Sequence, residues 1–199
     1  MKVLVIYCHP SHHSFTHDIK ESFVKGLNDG AHEVKVVDLY EDDFQSDMTE
    51  QEYLREGFYD EKALVPDDVK YYQELINCHE ALVFIYPVFW SEAPSKLVGW
   101  FQRVFTYGFA YGNQRMKVMK KALFLVTMGG DARQELRKRQ IKAMQEIMVH
   151  DRMAGRAENI EFAVYDRMSR GYDERQLKYD IYLKDAYCRG KDFDFKKRG

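Results

Sequence analysis

Three cysteines are all the chain has, and Cys8, Cys78 and Cys188 form neither a CxxC pair nor any metal-ligand spacing. That excludes a disulfide-stapled scaffold and a zinc-ribbon module. Reduced thiols, buried at positions 8 and 78, are the expectation. No apolar run approaches the roughly 20 residues that cross a bilayer. The opening MKVLVIYCHP lacks the long central region and cleavage site of a secretory signal. A cytoplasmic protein with no direct membrane insertion is therefore expected. The net charge of −2 favours neither sign, so composition gives no reason to expect a nucleic-acid partner. Neither GxGxxG nor GxxxxGK[ST] occurs, which removes the Rossmann fingerprint and the Walker loop. Internal repeats, linkers and low-complexity blocks are missing too.

What remains suits one domain over residues 1–199, with a hydrophobic fraction of 45% that can build a core unaided. The continuous β-branched and aromatic run at residues 3–7 has the signature of a strand buried on both faces. The run 81–86 is short enough for a buried strand, 34–37 and 121–127 read as further strands, and 160–165 alternates as a fifth. Helical spacing falls between them. Ser14 can cap a helix whose Phe15, Ile19, Phe23 and Leu27 share a face, ended by residues 28–30. Further helices are expected from Pro66 or Asp67 to Cys78, from Pro94 with Leu97, Phe101 and Val104 inward, over 132–150 with Leu136, Met144, Ile147 and Met148 inward, and over 173–187. Pro87, lacking an N–H, should stop the third strand. The acidic and aromatic stretch 38–68 breaks the pattern, with one short helix around 50–56, and the polar tail RGKDFDFKKRG should fray. Strand and helix alternation of this kind predicts an α/β, doubly wound, five-stranded parallel sheet in the order 2-1-3-4-5.

In that topology, three loops meet at the carboxyl ends of strands one, three and four, where ligands bind in open α/β sheets. The first offers Ser11, Ser14 and Thr16 hydroxyls beside a helix N-terminus, suited to a phosphate or simply to helix capping. The second brings Pro87, Val88, Phe89 and Trp90, two aromatic faces with backbone amides beside them; core packing is the plainer reading of such rings. The third carries Thr127, Met128, Gly129 and Gly130, where a ligand can approach the backbone closely, though a glycine pair also makes an ordinary turn. His9, His12, His13 and His17 match no recognised ligand set, and no metal site is expected. Five cations between Arg133 and Lys142 are expected to form a solvated face, the alternative being a site for an anionic group such as a nicotinamide 2′-phosphate.

Residues 86–111 carry a resemblance. Tyr86, Pro87 and Trp90, then Pro94, Gly99, Trp100, Arg103, Val104 and Phe105, then Phe109, Ala110 and Tyr111 follow in register the segment of the flavodoxin-like NAD(P)H:quinone oxidoreductases, the DT-diaphorase group and its bacterial branch. The likeness covers residues 2–130 and becomes architectural beyond them. It implies that His9, Ser14, Phe15 and Thr16 hold a flavin phosphate, with Thr16 where the family has Asn. Pro87, Val88, Phe89 and Trp90 would flank the flavin ring, and Thr127, Met128, Gly129 and Gly130 would meet its pyrimidine end. Tyr111 would line the acceptor pocket of a homodimer. The cofactor implied is FAD, alternatively FMN, with adenine contacts from the loop after strand four and the segment near Asp60. NAD(P)H would be the donor and a quinone-like molecule the acceptor. Glu135 and Ile141 stand where the family has a charge-relaying Tyr and His. Two other functions share parts of the pattern: a flavin-binding ancillary subunit of a glutathione-gated potassium-efflux system, and a flavodoxin-type electron carrier.

Overall fold

A computed structural model describes residues 1–194. Five parallel strands, β1 (Lys2–Tyr7), β2 (Glu33–Asp38), β3 (Ala81–Pro87), β4 (Lys121–Thr127) and β5 (Ile160–Tyr165), form one sheet in the order β2-β1-β3-β4-β5. The registers align the strand ends: Tyr7 lies opposite Asp38 and Ile85, and Thr127 opposite Pro87 and Tyr165. Alternation sorts the strand side chains into two cores. Leu4, Ile6, Leu82, Phe84, Tyr86, Phe124 and Val126 face α3 (Asp67–Cys78) and α4 (Ser95–Val104). Val3, Val5, Tyr7, Val83, Ile85, Leu123 and Leu125 face α1 (Phe15–Asp29) and α6 (Arg175–Lys191). Burial on both faces explains why the inner strands β1, β3 and β4 are continuous apolar runs, whereas the edge strands β2 and β5 are only partly buried and carry Glu33, Lys35 and Glu161.

Several boundaries differ from the sequence expectation, each for a physical reason. β3 includes Pro87, since the Val88 N–H still donates to Thr127 O at 2.8 Å beyond it. Pro94 caps α4 from an extended conformation, and Ser95 is the first helical residue. Residues 131–134 form a turn closed by Gln134 N–H to Asp131 O, so α5 starts at Glu135 (Glu135–Gln145). Met144 and Met148 point inward as expected, but Leu136 is 62% exposed. From Glu146 to Met153 the helix widens to π geometry. The tail expectation fails as far as it can be followed. Arg189 to Lys191 extend α6, and Phe193 is fully buried, its ring edge-on to Phe23 and facing His32. Residues 195–199 lie outside the described residues.

α1 and α6 come into near backbone contact. A Cβ on Gly26 would lie 2.1 Å from Tyr187 O, and one on Gly190 would lie 2.2 Å from Phe23 O. Gly to Ala in an exposed helix stabilises by about 1 kcal/mol. Here overpacking, worth roughly 1–3 kcal/mol, acts against it. Gly26→Ala should therefore lower the melting temperature by about 3 °C; a raised melting temperature would show that the two helices can separate freely.

A candidate active site at the carboxyl rim

The loop after β1 is shaped by its own side chains. Ser14 Oγ accepts the His17 N–H at 3.1 Å, capping α1, and donates to Ser11 O at 3.1 Å. His9 Nδ1 stands 3.0 Å from Ser11 N and 2.8 Å from Ser11 O, and burial pushes its pKa below the ordinary histidine value, favouring the neutral ring. The N–H groups of Phe15 and Thr16 find no acceptor among the described residues. The Phe15 ring is turned away, against Tyr179 and Tyr182 of α6, so this residue offers the rim its amide only. Thr16 Oγ1 lies 2.7 Å from Thr127 Oγ1 in a buried hydrogen bond that ties this loop to the end of β4.

After β3, residues 88–92 fold into a narrow turn. Phe89 N–H donates to Glu92 O at 2.9 Å and Glu92 N–H to Phe89 O at 3.1 Å. The Val88 and Phe89 amides are thereby consumed, and of the three expected ligand donors Trp90 alone keeps a free N–H among the described residues. Trp90 has φ of +62° and is 96% exposed. A left-handed conformation in a bulky residue costs on the order of 1–3 kcal/mol, and such strain concentrates at ligand sites. The exposed ring rules out core packing for Trp90. Phe89 is exposed beside it.

The glycine loop after β4 is held by its carbonyls. Arg167, Met168 and Ser169 donate their N–H groups to Gly130 O, Met128 O and Gly129 O at 2.9, 3.2 and 3.4 Å. The N–H groups of Gly129 and Gly130 stay unpartnered among the described residues. Met128, expected to meet the ligand, is buried and its N–H donates to Tyr165 O at 2.9 Å, so it offers the rim no free donor. Ion pairs anchor the loop on its far side. Asp131 receives the Arg133 guanidinium and N–H, which hold its carboxyl well below the usual carboxylate range. Asp166 accepts from Ala132 N–H, Lys178 and Tyr182.

Tyr111 is not brought to this rim within one chain. It sits on the loop between α4 and β4, which feeds the amino end of β4, and its hydroxyl donates to Glu56 Oε2 at 2.6 Å. Glu56 and Arg55 belong to α2 (Glu50–Gly57) and also grip the Tyr107 backbone. Buried Arg103 binds α2 and α3 together through Glu52 at 2.8 Å and Asp68 at 2.6 Å. The stretch 38–68 is thus a clamp on the Tyr107–Tyr111 loop, more than a surface excursion. Among the histidines, His12 meets Asp38 and Glu41, with one ligand atom of each within 4.8 Å of the others, but the Asp38 carboxylate already accepts the Tyr40 N–H. His9 turns elsewhere, to Ser11.

Sequence families agree with this architecture. A family defined by the flavodoxin-like fold matches residues 1–164. The chain belongs to that family. In structure it is similar to the NAD(P)H:quinone oxidoreductase from Methanothermobacter marburgensis, at a TM-score of 0.92 and 34% identity, over 100% of this chain and 98% of that one. In sequence it is similar to NAD(P)H dehydrogenase [quinone] 1 of Cavia porcellus, 34% identical over 148 residues, covering 65% of this chain and 54% of the relative. An uncharacterized NAD(P)H oxidoreductase of Escherichia coli is 28% identical, over 65% of each chain. The chain spans between about half and two thirds of the length of these curated relatives.

Within this flavodoxin-like framework the rim gathers His9, Ser14, Phe15, Thr16, the 87–90 turn and residues 127–130, as the alternation of elements implied. Sequence reasoning missed the Thr16–Thr127 link and the Arg103 clamp. The sequence signal for each is a polar residue in an otherwise apolar helical or strand pattern. Arg103→Met leaves Glu52, its side chain 7% exposed, without its charge partner, a loss of about 3 kcal/mol. Urea unfolding should show that loss, and Glu52→Leu added to it should recover a large part. A loss under about 1 kcal/mol would mean that the clamp contributes little.

Proposed function

We propose that the rim holds a flavin and that the protein is a flavin-dependent NAD(P)H oxidoreductase delivering two electrons to a quinone or similar small acceptor. One observation carries the reading. At the switch point between β1 and β3, all three loops present backbone N–H groups that the chain itself leaves unused, beside an exposed and strained Trp90. Unsatisfied donors gathered at one place call for an anionic or carbonyl-rich ligand. The likeness to a quinone oxidoreductase over nearly the whole of both chains supports the same reading.

Each loop takes a part. The Phe15 and Thr16 amides, with Ser11 and Ser14 and the positive end of α1, suit the phosphate. Trp90 and Phe89 suit the ring plane, and Gly129 and Gly130 suit its pyrimidine edge, where donors are most valuable as negative charge arrives. When bound, a flavin supplies the hydride acceptance and electron delivery that no side chain here can perform. Glu135, at the place of the family's Tyr, pairs with Lys138 at 2.6 Å and points to solvent, so it takes no part in the proposal.

FMN is favoured over FAD. The segment near Asp60, expected to meet an adenine, is engaged with the α4–β4 loop, where Glu61 accepts from Asn113 and packs on Gly108. A homodimer is supported by the exposed Tyr53, Phe58, Tyr59 and Leu64, and by Tyr111, which would meet a rim only from a second copy. The proposal takes the chain as one flavin-binding domain. Free thiols at Cys8, which is buried, at Cys78, which is exposed where burial was expected, and at Cys188 support a reducing compartment, the cytoplasm. Among the described residues, no helix is long and apolar enough to cross a membrane.

The visible spectrum of the FMN-reconstituted protein tests the reading. A bound-flavin band should bleach with anaerobic NADPH or NADH and return when a quinone is added. Chromatography of the released flavin should yield FMN from protein offered both forms. Flavin that binds but is not bleached by either nicotinamide would favour the ancillary or carrier functions.

A further inference from the structure

Of the five cations expected to line a solvated face, one does not. Arg133 is paired with Asp131 at 2.7 Å and Lys138 with Glu135 at 2.6 Å, while Arg139 and Lys142 are exposed. Arg137 is half-buried, and its one side-chain partner among the described residues is the neutral Gln140 Oε1 at 2.7 Å. It shares a helical face with the buried Met144 and Met148, at spacings of seven and eleven, so it is turned toward the body of the protein. There it lies against the glycine loop. A Cβ on Gly130 would be 2.7 Å from Arg137 Nε and 3.2 Å from its Cζ. A guanidinium with no carboxylate partner among the described residues thus stands against Gly130, whose N–H, like that of Gly129 before it, is unpartnered. The carboxylates nearest this loop, Asp131 and Asp166, are already engaged by Arg133, Arg167 and Lys178, so among the described residues Arg137 has no ion-pair partner.

We propose that Arg137 is a charge-stabilising residue for the flavin: its guanidinium, with the Gly129 and Gly130 amides, balances the negative charge that reduction places at the ring's pyrimidine edge. The proposal rests on the reading of the rim as a flavin site. Hydride transfer moves one proton and two electrons from the nicotinamide, which leaves as its oxidised cation, and gives the ring one negative charge. Passing both electrons on to a quinone, with that proton and one more from water, returns the ring to its neutral oxidised form. A fixed cation beside the site of the charge favours the reduced ring over the oxidised one, and charge near these ring positions is a principal way in which a protein tunes a flavin.

The experiment is to measure the two-electron midpoint potential of bound FMN in the wild type, Arg137→Gln, Arg137→Lys and Arg139→Gln. FMN binding is read first, by fluorescence quenching. Arg137→Gln should bind oxidised FMN nearly as the wild type does but weaken reduced FMN about tenfold relative to it, a potential lower by about 30 mV for a two-electron couple. Arg137→Lys should recover part of that shift. Arg139→Gln removes the same charge from the exposed face of the same helix and should leave the potential unchanged. Equal shifts in Arg137→Gln and Arg139→Gln, or no shift in either, would overturn the proposal. So would an Arg137→Gln variant with unchanged potential but a raised KM for NADPH and not NADH, which would give Arg137 to a 2′-phosphate. If the wild type binds no FMN, the parent reading fails first and the proposal with it. FMN bound at an unshifted potential in Arg137→Gln overturns the proposal alone.

Discussion

A parallel sheet buried on both faces obliges every strand to hand its chain to a helix at the same edge. The order β2-β1-β3-β4-β5 adds a reversal between β1 and β3, so helices leave to opposite faces there and a crevice opens between their first turns. Three loops with little in common in sequence, a serine-rich cap, a strained aromatic turn and a glycine pair, are forced into proximity by this constraint. Each ends a strand whose backbone bonds are otherwise complete. The free N–H groups at the rim are those of the first turn of α1 and of the loop residues beyond the ladders of β3 and β4.

Those donors are useful only if they hold still, and the chain spends its polar contacts on that. The Thr16–Thr127 hydrogen bond joins the first loop to the third. The β5–α6 loop takes up the carbonyls of residues 128–130, which turns the amides the other way, and Asp131 and Asp166 fix that pair of loops from behind with cations. Buried Arg103 does similar work at a distance, holding α2 and α3 to α4. Preorganised donors lose little on ligand binding, which is the physical advantage of building a site on rigid ends of strands.

Much of this architecture could be read from the residues. The five strands were legible because β-branched runs such as VLVIY and ALFLVT need burial on both faces, and that in turn implies parallel pairing with helices between. The rim loops followed from topology alone. What escaped was anything set by non-local packing. The expectation put Leu136 inward with Met144, but at 3.6 residues per turn a spacing of eight leaves the two about 80° apart, whereas Arg137, seven residues before Met144, shares its face; Arg137 therefore faces in and Leu136 faces out. Charge in the tail suggested fraying, yet one aromatic, Phe193, is enough to seat it against Phe23. The positive φ of Trp90 leaves no mark in sequence, since glycine is the residue expected there. Family likeness put Tyr111 in the acceptor pocket of a homodimer, and connectivity sends its loop to the amino end of β4 within one chain, so that role rests on a second copy.

Hydrogen exchange read by mass spectrometry, with and without FMN, would test most directly the claim that unpartnered amides at three separated segments form one flavin site. Protection should appear together in residues 9–17, 88–92 and 127–131, while the groove beside α3, lined by Leu64, Gln73 and Arg115, exchanges as before. Protection confined to one segment, or centred on the α3 groove, would contradict the account.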